Sequence, residues 1–217
     1  MNVDLFSVPG IDRAERLNLA PARVSDFAYT GMLAQSSRLF LPPTGSDVPI
    51  VWGRLMVMFR DPIERALNRF EEFKIVTGNT AYTLSQYANS PLYAENNPLM
   101  RSLVGLGPND ALDQSHSITA QAIIDNHIVV GLFDRFEESM DRFERFIQWR
   151  AVDVPGVDDC RAQVMETYRM GYNITVDYTQ QDPLGYNLIV AAHRYDKLLF
   201  NYAVATFDLQ ATALVFN

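Results

Sequence analysis

Arg60 and Asn68 carry the clearest chemistry in the chain. They stand in the segment Phe59-Arg60-Asp61-Pro62-Ile63-Glu64-Arg65-Ala66-Leu67-Asn68-Arg69-Phe70. Its order puts a guanidinium at the end of an apolar run, directly before a helix start. Helix N-termini favour anions through unpaired N–H groups and the backbone dipole. Asp61 is negative and Pro62 has no N–H, so an anion here would depend on the Arg60 side chain. Asn68 shares a polar helix face with Asp61 and Arg65, and its amide can donate. The same residues also read as a salt-bridged helix start, with Arg60 pairing Asp61 or Glu64.

Other chemistry is thin. There is no Gly-x-x-x-x-Gly-Lys-Ser/Thr, no Gly-x-Gly-x-x-Gly, no His-Glu-x-x-His and no Gly-x-Ser-x-Gly. His116, His127 and His193 are far apart; His116 flanks a helix start and His127 opens a buried strand, both structural positions. No metal site is expected. Cys160 is the only cysteine, so no intrachain disulfide can form. Asn173-Ile174-Thr175 matches the glycosylation acceptor pattern.

The elements that must position Arg60 follow from apolar patterning. Leu55 to Phe59 is a continuous apolar run, as in a strand buried on both faces. Asp61 as N-cap, Pro62 at the first helical position and Glu64 three after the cap predict a helix over 62–76. Its apolar face is Ile63, Ala66, Leu67, Phe70 and Phe73. Ile128 to Leu132 is a second buried strand, parallel to the first. Asp134 to Trp149 follows as a helix with Phe133, Phe136, Met140, Phe143 and Ile147 as its apolar stripe. Glu138–Arg142 and Asp141–Arg145 are acid-before-base pairs on that helix. Further helices are expected at Pro9–Leu19, Thr83–Tyr87, Glu95–Val104 and Thr119–Asp125, the last capped by Ser115 or Ser117. Cys160–Arg169 and Leu184–Gln210 make a helical C-terminal third. Val3–Phe6 and Val24–Tyr29 read as extended, and Leu41–Asp47 as a loop. Strands alternating with helices imply α/β architecture with a mostly parallel sheet, which binds ligands at the carboxyl ends of its strands.

A chain of 217 residues fits one domain, spanning 1–217. Hydrophobic residues at 48% exclude a disordered tail. A net charge of −8 disfavours non-specific nucleic-acid binding. The cations are lopsided: Lys74 and Lys197 are the only lysines among 18 Lys and Arg, and the other 16 are arginines. Arginine makes bidentate contacts to phosphate, sulfate and carboxylate. Met1 to Leu19 shows no signal-peptide pattern, and no stretch approaches 18 apolar residues, so no membrane segment is expected.

Arg-Asp-Pro-x-Glu-Arg-Ala-x-x-x-Phe after a strand resembles the 3′-phosphate-binding segment of carbohydrate sulfotransferases of the 2-O- and chondroitin type. These use 3′-phosphoadenosine 5′-phosphosulfate (PAPS). Leu84–Ala88, Glu95–Gly105, Val130–Met140 and Tyr195–Ala203, with Phe207 and Gln210 behind, resemble later blocks in the same order. The similarity spans roughly residues 50–210. It implies a P-loop NTPase-like parallel sheet flanked by helices, PAPS as co-substrate, and a hydroxyl-bearing acceptor of glycan type. It also implies a Golgi lumenal setting. Arg60 would bind the 3′-phosphate. Asn68 stands where the family usually has a serine donor. Arg101 matches an arginine near the cofactor or acceptor cleft. Asp134 and Arg135 would be mainly structural.

The departure is upstream. The family opens with a strand and a Pro-Lys-x-Gly-Gly-Thr-Ser-like loop that holds the 5′-phosphosulfate, its lysine assisting transfer. Residues 1–50 contain nothing like it and no lysine. The family's base, between that loop and the Arg60 strand, has Asp26 as its nearest counterpart. The chain therefore reads as a sulfotransferase domain lacking its first βα unit, either N-terminally truncated or degenerate. A non-catalytic nucleotide- or glycan-binding remnant, and a P-loop kinase relative, are the alternatives.

Overall fold

The computed structural model describes residues 4–19, 30–36, 39, 55–91, 93, 95–147, 156–170 and 176–213. The expected strand at 24–29, the loop at 41–47, the sequon at 173–175 and Asp26 lie outside these. In chain order come α1 (Val8–Arg16), α2 (Leu33–Ser36), β1 (Leu55–Phe59), α3 (Pro62–Thr77), α4 (Leu84–Ala88), α5 (Pro98–Val104), α6 (Gln114–His127) and β2 (Ile128–Leu132). A 3-10 turn at Phe133–Arg135 leads into α7 (Phe136–Ile147), followed by α8 (Val157–Met170), α9 (Tyr178–Gln181), α10 (Pro183–Ala192) and α11 (Arg194–Ala213). β1 and β2 pair in parallel. The fold is α/β and mostly helical, with a helical C-terminal third. Among the described residues no helix is long and apolar enough to cross a membrane.

The contacts group into two compact units, Met1–Met56 with Pro98–Val129, and Val57–Asn97 with Val130–Asn217. The first buries Ile11 and Ala14 of α1, Met100 and Leu103 of α5, and Ala120 and Ile124 of α6. In the second, Ile63, Ala66, Leu67 and Phe70 of α3 pack with Leu84, Tyr87, Tyr178 and Ile189. The rings of Phe70 and Tyr87 lie 5.2 Å apart.

The α3 start follows its sequence. Asp61 Oδ1 accepts the N–H groups of Ile63 (2.8 Å) and Glu64 (3.3 Å), and Pro62 occupies the first turn. Gly78, at φ 67°, closes the helix in the left-handed region. α4 carries a full capping box between Thr83 and Gln86. Asp182 serves two helices. Its Oδ1 accepts from Gly185 N–H of α10 (2.9 Å) and its Oδ2 from Ser85 N–H of α4 (2.8 Å).

Several expectations need correcting. Asp4–Phe6 form a turn, closed by Phe6 N–H on Asp4 Oδ1 at 2.9 Å, and not a strand. β2 is buried throughout, but in β1 only Phe59 is; Leu55–Met58 are half-buried. An apolar run thus marked the strand without guaranteeing burial on both faces. α6 starts at Gln114, five residues early, because Asp113 caps it and neither Ser115 nor Ser117 does. Asp113 Oδ1 takes both the Ser115 hydroxyl (2.6 Å) and its N–H (2.8 Å). These bonds, the hydroxyl foremost, hold the Asp113 carboxyl at about 2. His127 closes α6 and does not open the strand. α5 starts at Pro98, three residues late: Asn97 sits at φ 49°, outside the helix, and the residue before a proline is pushed away from it.

α7 departs most. Its phenylalanines are half-buried or exposed, and its fully buried side chains are Ser139 and Arg142. The Ser139 hydroxyl accepts Leu132 N–H (2.7 Å) and donates to Arg135 O (2.8 Å), so the helix sits tight on the end of β2. Arg142 lies 3.3 Å from the Phe207 ring centroid and donates to Phe207 O at 2.6 Å. Burial lowers the pKa of its guanidinium. Glu138 stands 3.6 Å from Arg142, as the spacing implied, while Asp141 pairs with Arg161 of α8.

Candidate functional site

The second unit gathers charged groups at the carboxyl end of β1. Arg60 leaves the strand half-buried, its guanidinium 4.8 Å from the centroid of Phe133, which follows β2. Asn68 lies two turns along α3. With its amide oxygen turned to the guanidinium, it accepts from Arg60 Nη1 at 3.2 Å and from Nη2. The structure therefore brings Arg60 and Asn68 together, with Asn68 orienting the arginine. The amide nitrogen, the expected donor to an anion, is the other end of the same group.

Asp61 Oδ1 is committed to the α3 backbone, and its Oδ2 pairs with Lys197 of α11. Glu64 stands close by, its carboxyl pKa raised by burial first, then by Asp134 and Asp61; Arg60 and Lys197 oppose that rise. Two cations and two further carboxylates thus act on Glu64 at this strand end.

Arg101 belongs to the first unit. It is buried, and its Nη1 donates to the carbonyl oxygens of Gly107 (2.6 Å) and Asp110 (2.9 Å). Asp134 and Arg135 are exposed, and Arg135 pairs with Glu138 (2.7 Å) and Asp208 (2.6 Å).

A second cluster joins residues that stand far apart in the sequence. His193 and Asp196 are both fully buried. His193 Nε2 shares a hydrogen bond of 2.6 Å with the Tyr93 hydroxyl and lies 3.4 Å from Glu95 Oε2. Its Nδ1 faces Asp196 Oδ2 at 3.6 Å. Glu95 also takes Arg65 Nη2 (2.8 Å) and Arg69 of α3. Asn97 closes the arrangement: its Oδ1 accepts the N–H groups of Tyr195 (2.7 Å) and Asp196 (3.1 Å), capping α11 from a distant segment. Burial raises the Tyr93 phenol well above its usual range, so the hydroxyl stays protonated. A neutral phenol against an imidazole can pass or hold a proton, with carboxylates on both sides of the ring. The i, i+3 spacing of His193 and Asp196 was the available signal; Tyr93 is 100 positions away. Among the described residues no group of His, Cys, Asp and Glu could hold a metal ion.

Comparison with family models, with curated proteins and with solved structures finds no match for the chain.

Proposed function

We propose that the chain is a sulfotransferase-like domain that binds PAPS through its 3′-phosphate. The observation carrying this reading is the half-buried Arg60 guanidinium at the carboxyl end of a parallel strand, stacked on Phe133 and steadied by Asn68. Ligands of parallel sheets sit at that end. The parallel β1–β2 pair, with a helix after each strand, further supports this reading. The acceptor is a hydroxyl of a carbohydrate or similar molecule, and the setting the Golgi lumen. In the reaction, the acceptor oxygen attacks sulfur and the bond from sulfur to the 5′-phosphate oxygen breaks. Adenosine 3′,5′-bisphosphate leaves with that electron pair, while a base takes the hydroxyl proton.

Calorimetric titration with nucleotides bearing and lacking a 3′-phosphate tests the binding half. Arg60→Ala is expected to weaken adenosine 3′,5′-bisphosphate about tenfold or more, since hydrogen bonds to charged groups contribute about 1.5–3 kcal/mol. Arg60→Lys recovers only part, because an ammonium lacks the planar fork. Equal losses for both kinds of nucleotide, with reduced thermal stability, would return Arg60 to a purely structural role.

The binding-remnant reading draws on a different observation: the 217 residues contain no lysine-bearing Gly-rich loop for the 5′-phosphosulfate. Losing one such electrostatic donor commonly costs about 10²–10³ in rate, and a whole set is missing here. The purified 217-residue chain is therefore expected to show little or no transfer of labelled sulfate from PAPS to glycan acceptors. Robust turnover would mean that other residues hold the 5′ end.

A further inference from the structure

We propose that Lys197 is the second cation of the anion site at the end of β1, and that Asp61 occupies it as a built-in counter-ion which an arriving phosphate monoester must displace. The inference rests on the reading of Arg60 as a phosphate ligand and adds to it a residue and a competition.

Asp61 directly follows Arg60, and its Oδ2 holds the Lys197 ammonium. Lys197 thus pairs with the residue that directly follows Arg60, and both cations act on the neighbouring Glu64 carboxyl. The two oxygens of Asp61 do separate work. Oδ1 caps α3 through Ile63 and Glu64, while Oδ2 meets Lys197. The helix start thus does not depend on the ion pair. Lys197 is fit to move: its side chain is 42% exposed, against 14% for Asp61. Its ammonium lies 5.3 Å from the Phe200 ring centroid, which steadies it near its present place. Lysine is a point charge on a flexible stem, able to exchange one oxyanion partner for another without a fixed geometry.

The charge balance explains why exchange matters. Asp61, Glu64 and Asp134 outnumber Arg60 and Lys197, and Glu64 senses all four of the others. With Lys197 held by Asp61, a phosphate meets one cation among acids. When Lys197 turns to the phosphate, it meets two. Asp61 is the acid whose charge can be removed without loss of the helix start, since asparagine caps as well as aspartate.

That asymmetry gives the test. Wild type, Asp61→Asn, Lys197→Ala, Arg60→Ala and Asp61→Asn/Lys197→Ala are titrated at low salt with adenosine 3′,5′-bisphosphate, adenosine 5′-monophosphate and inorganic phosphate. Asp61→Asn is expected to bind the bisphosphate about fivefold tighter, the size of one like charge removed at about 4 Å in water. Lys197→Ala is expected to bind it about fivefold more weakly, and the double variant to lose most of the Asp61→Asn gain. A thermal melt of Asp61→Asn within a few degrees of wild type shows that the cap is kept. If Arg60→Ala loses 3′-phosphate affinity while Asp61→Asn leaves it unchanged or weaker, Lys197 is only a structural partner, and the inference fails with the Arg60 reading intact. If no variant changes 3′-specific affinity, or wild type and Asp61→Asn both fail to bind, the two fall together. A gain in Asp61→Asn for inorganic phosphate equal to that for the bisphosphate assigns the site to free phosphate and overturns the nucleotide form of the inference.

Discussion

Gly185→Ala will destabilise the second unit by about 3 kcal/mol, the upper part of the usual range for overpacking. The sign is the decisive feature. Glycine is normally a poorer helix former than alanine, so propensity alone predicts a gain even in this first turn of α10. At Gly185, however, a Cβ would meet backbone. It would lie 2.7 Å from the carbonyl carbon of Leu84 and 2.9 Å from Leu84 Cβ, and closer still to Ser85 N. α4 cannot retreat cheaply, because Leu84 is fully buried in the core and Ser85 N–H is held by Asp182. Urea unfolding should show a lower midpoint at unchanged slope. For a chain of this size, 3 kcal/mol corresponds to about 6–12 °C in Tm. Gly131→Ala is the internal comparison: its Cβ would meet the Phe143 ring at 2.6 Å and Met58 Sδ at 3.2 Å, both side chains able to shift. A Gly185→Ala loss no larger than that of Gly131→Ala would show that α4 and α10 part readily.

His193→Ala will cost about as much, roughly 3–5 kcal/mol, for a different reason. The imidazole is fully buried between the Tyr93 hydroxyl and the carboxylates of Asp196 and Glu95. Truncation removes the ring's packing and leaves polar groups facing a void. Removing one partner of a buried polar or charged set commonly costs that amount, most of it the penalty of the group left behind. His193→Gln, which keeps polar atoms in the space, should recover part. A double-mutant cycle with Asp196→Asn separates coupling from packing. If the two side chains balance one another, the double variant costs at least 1 kcal/mol less than the sum of the singles. Additivity within about 0.5 kcal/mol would leave His193 as a core residue with no special bond to Asp196.

What the sequence disclosed follows from range. The Arg60 turn was legible because its logic is local: apolar run, Asp61 cap, Pro62, amphipathic stripe, all within twenty residues. Asp113 does not stand out in the sequence because Ser115 and Ser117 are equally good caps by type, and only geometry shows Ser115 donating to Asp113 and not capping. In α7 the periodicity of Phe and Met was real, yet the closest approach to β2 and α11 goes through Ser139 and Arg142. A small hydroxyl and a stacked guanidinium can occupy such places because each brings its own hydrogen bonds. Tyr93 and His193 could not be joined by inspection, since no periodicity links positions a hundred residues apart. Lys197 was visible as one of two lysines, but its meeting with Asp61 is a product of how α11 lies against the start of α3.

The single carboxylate of Asp182 has a consequence for how the second unit opens. Ser85 and Gly185 amides share one acceptor group, so the first turns of α4 and α10 are tied into one cooperative unit. Opening either helix start removes one of the two bonds on this carboxylate. Acid acts on both at once. Burial alone would raise the Asp182 carboxyl, but the bonds from Gly185, Ser85 and Leu84 outweigh it and the net shift is downward. Its contribution is therefore complete above the ordinary carboxyl range and fades only as pH falls through the depressed folded value. One proton then weakens the α10 cap and, with it, a tie between residues 97 positions apart in the chain.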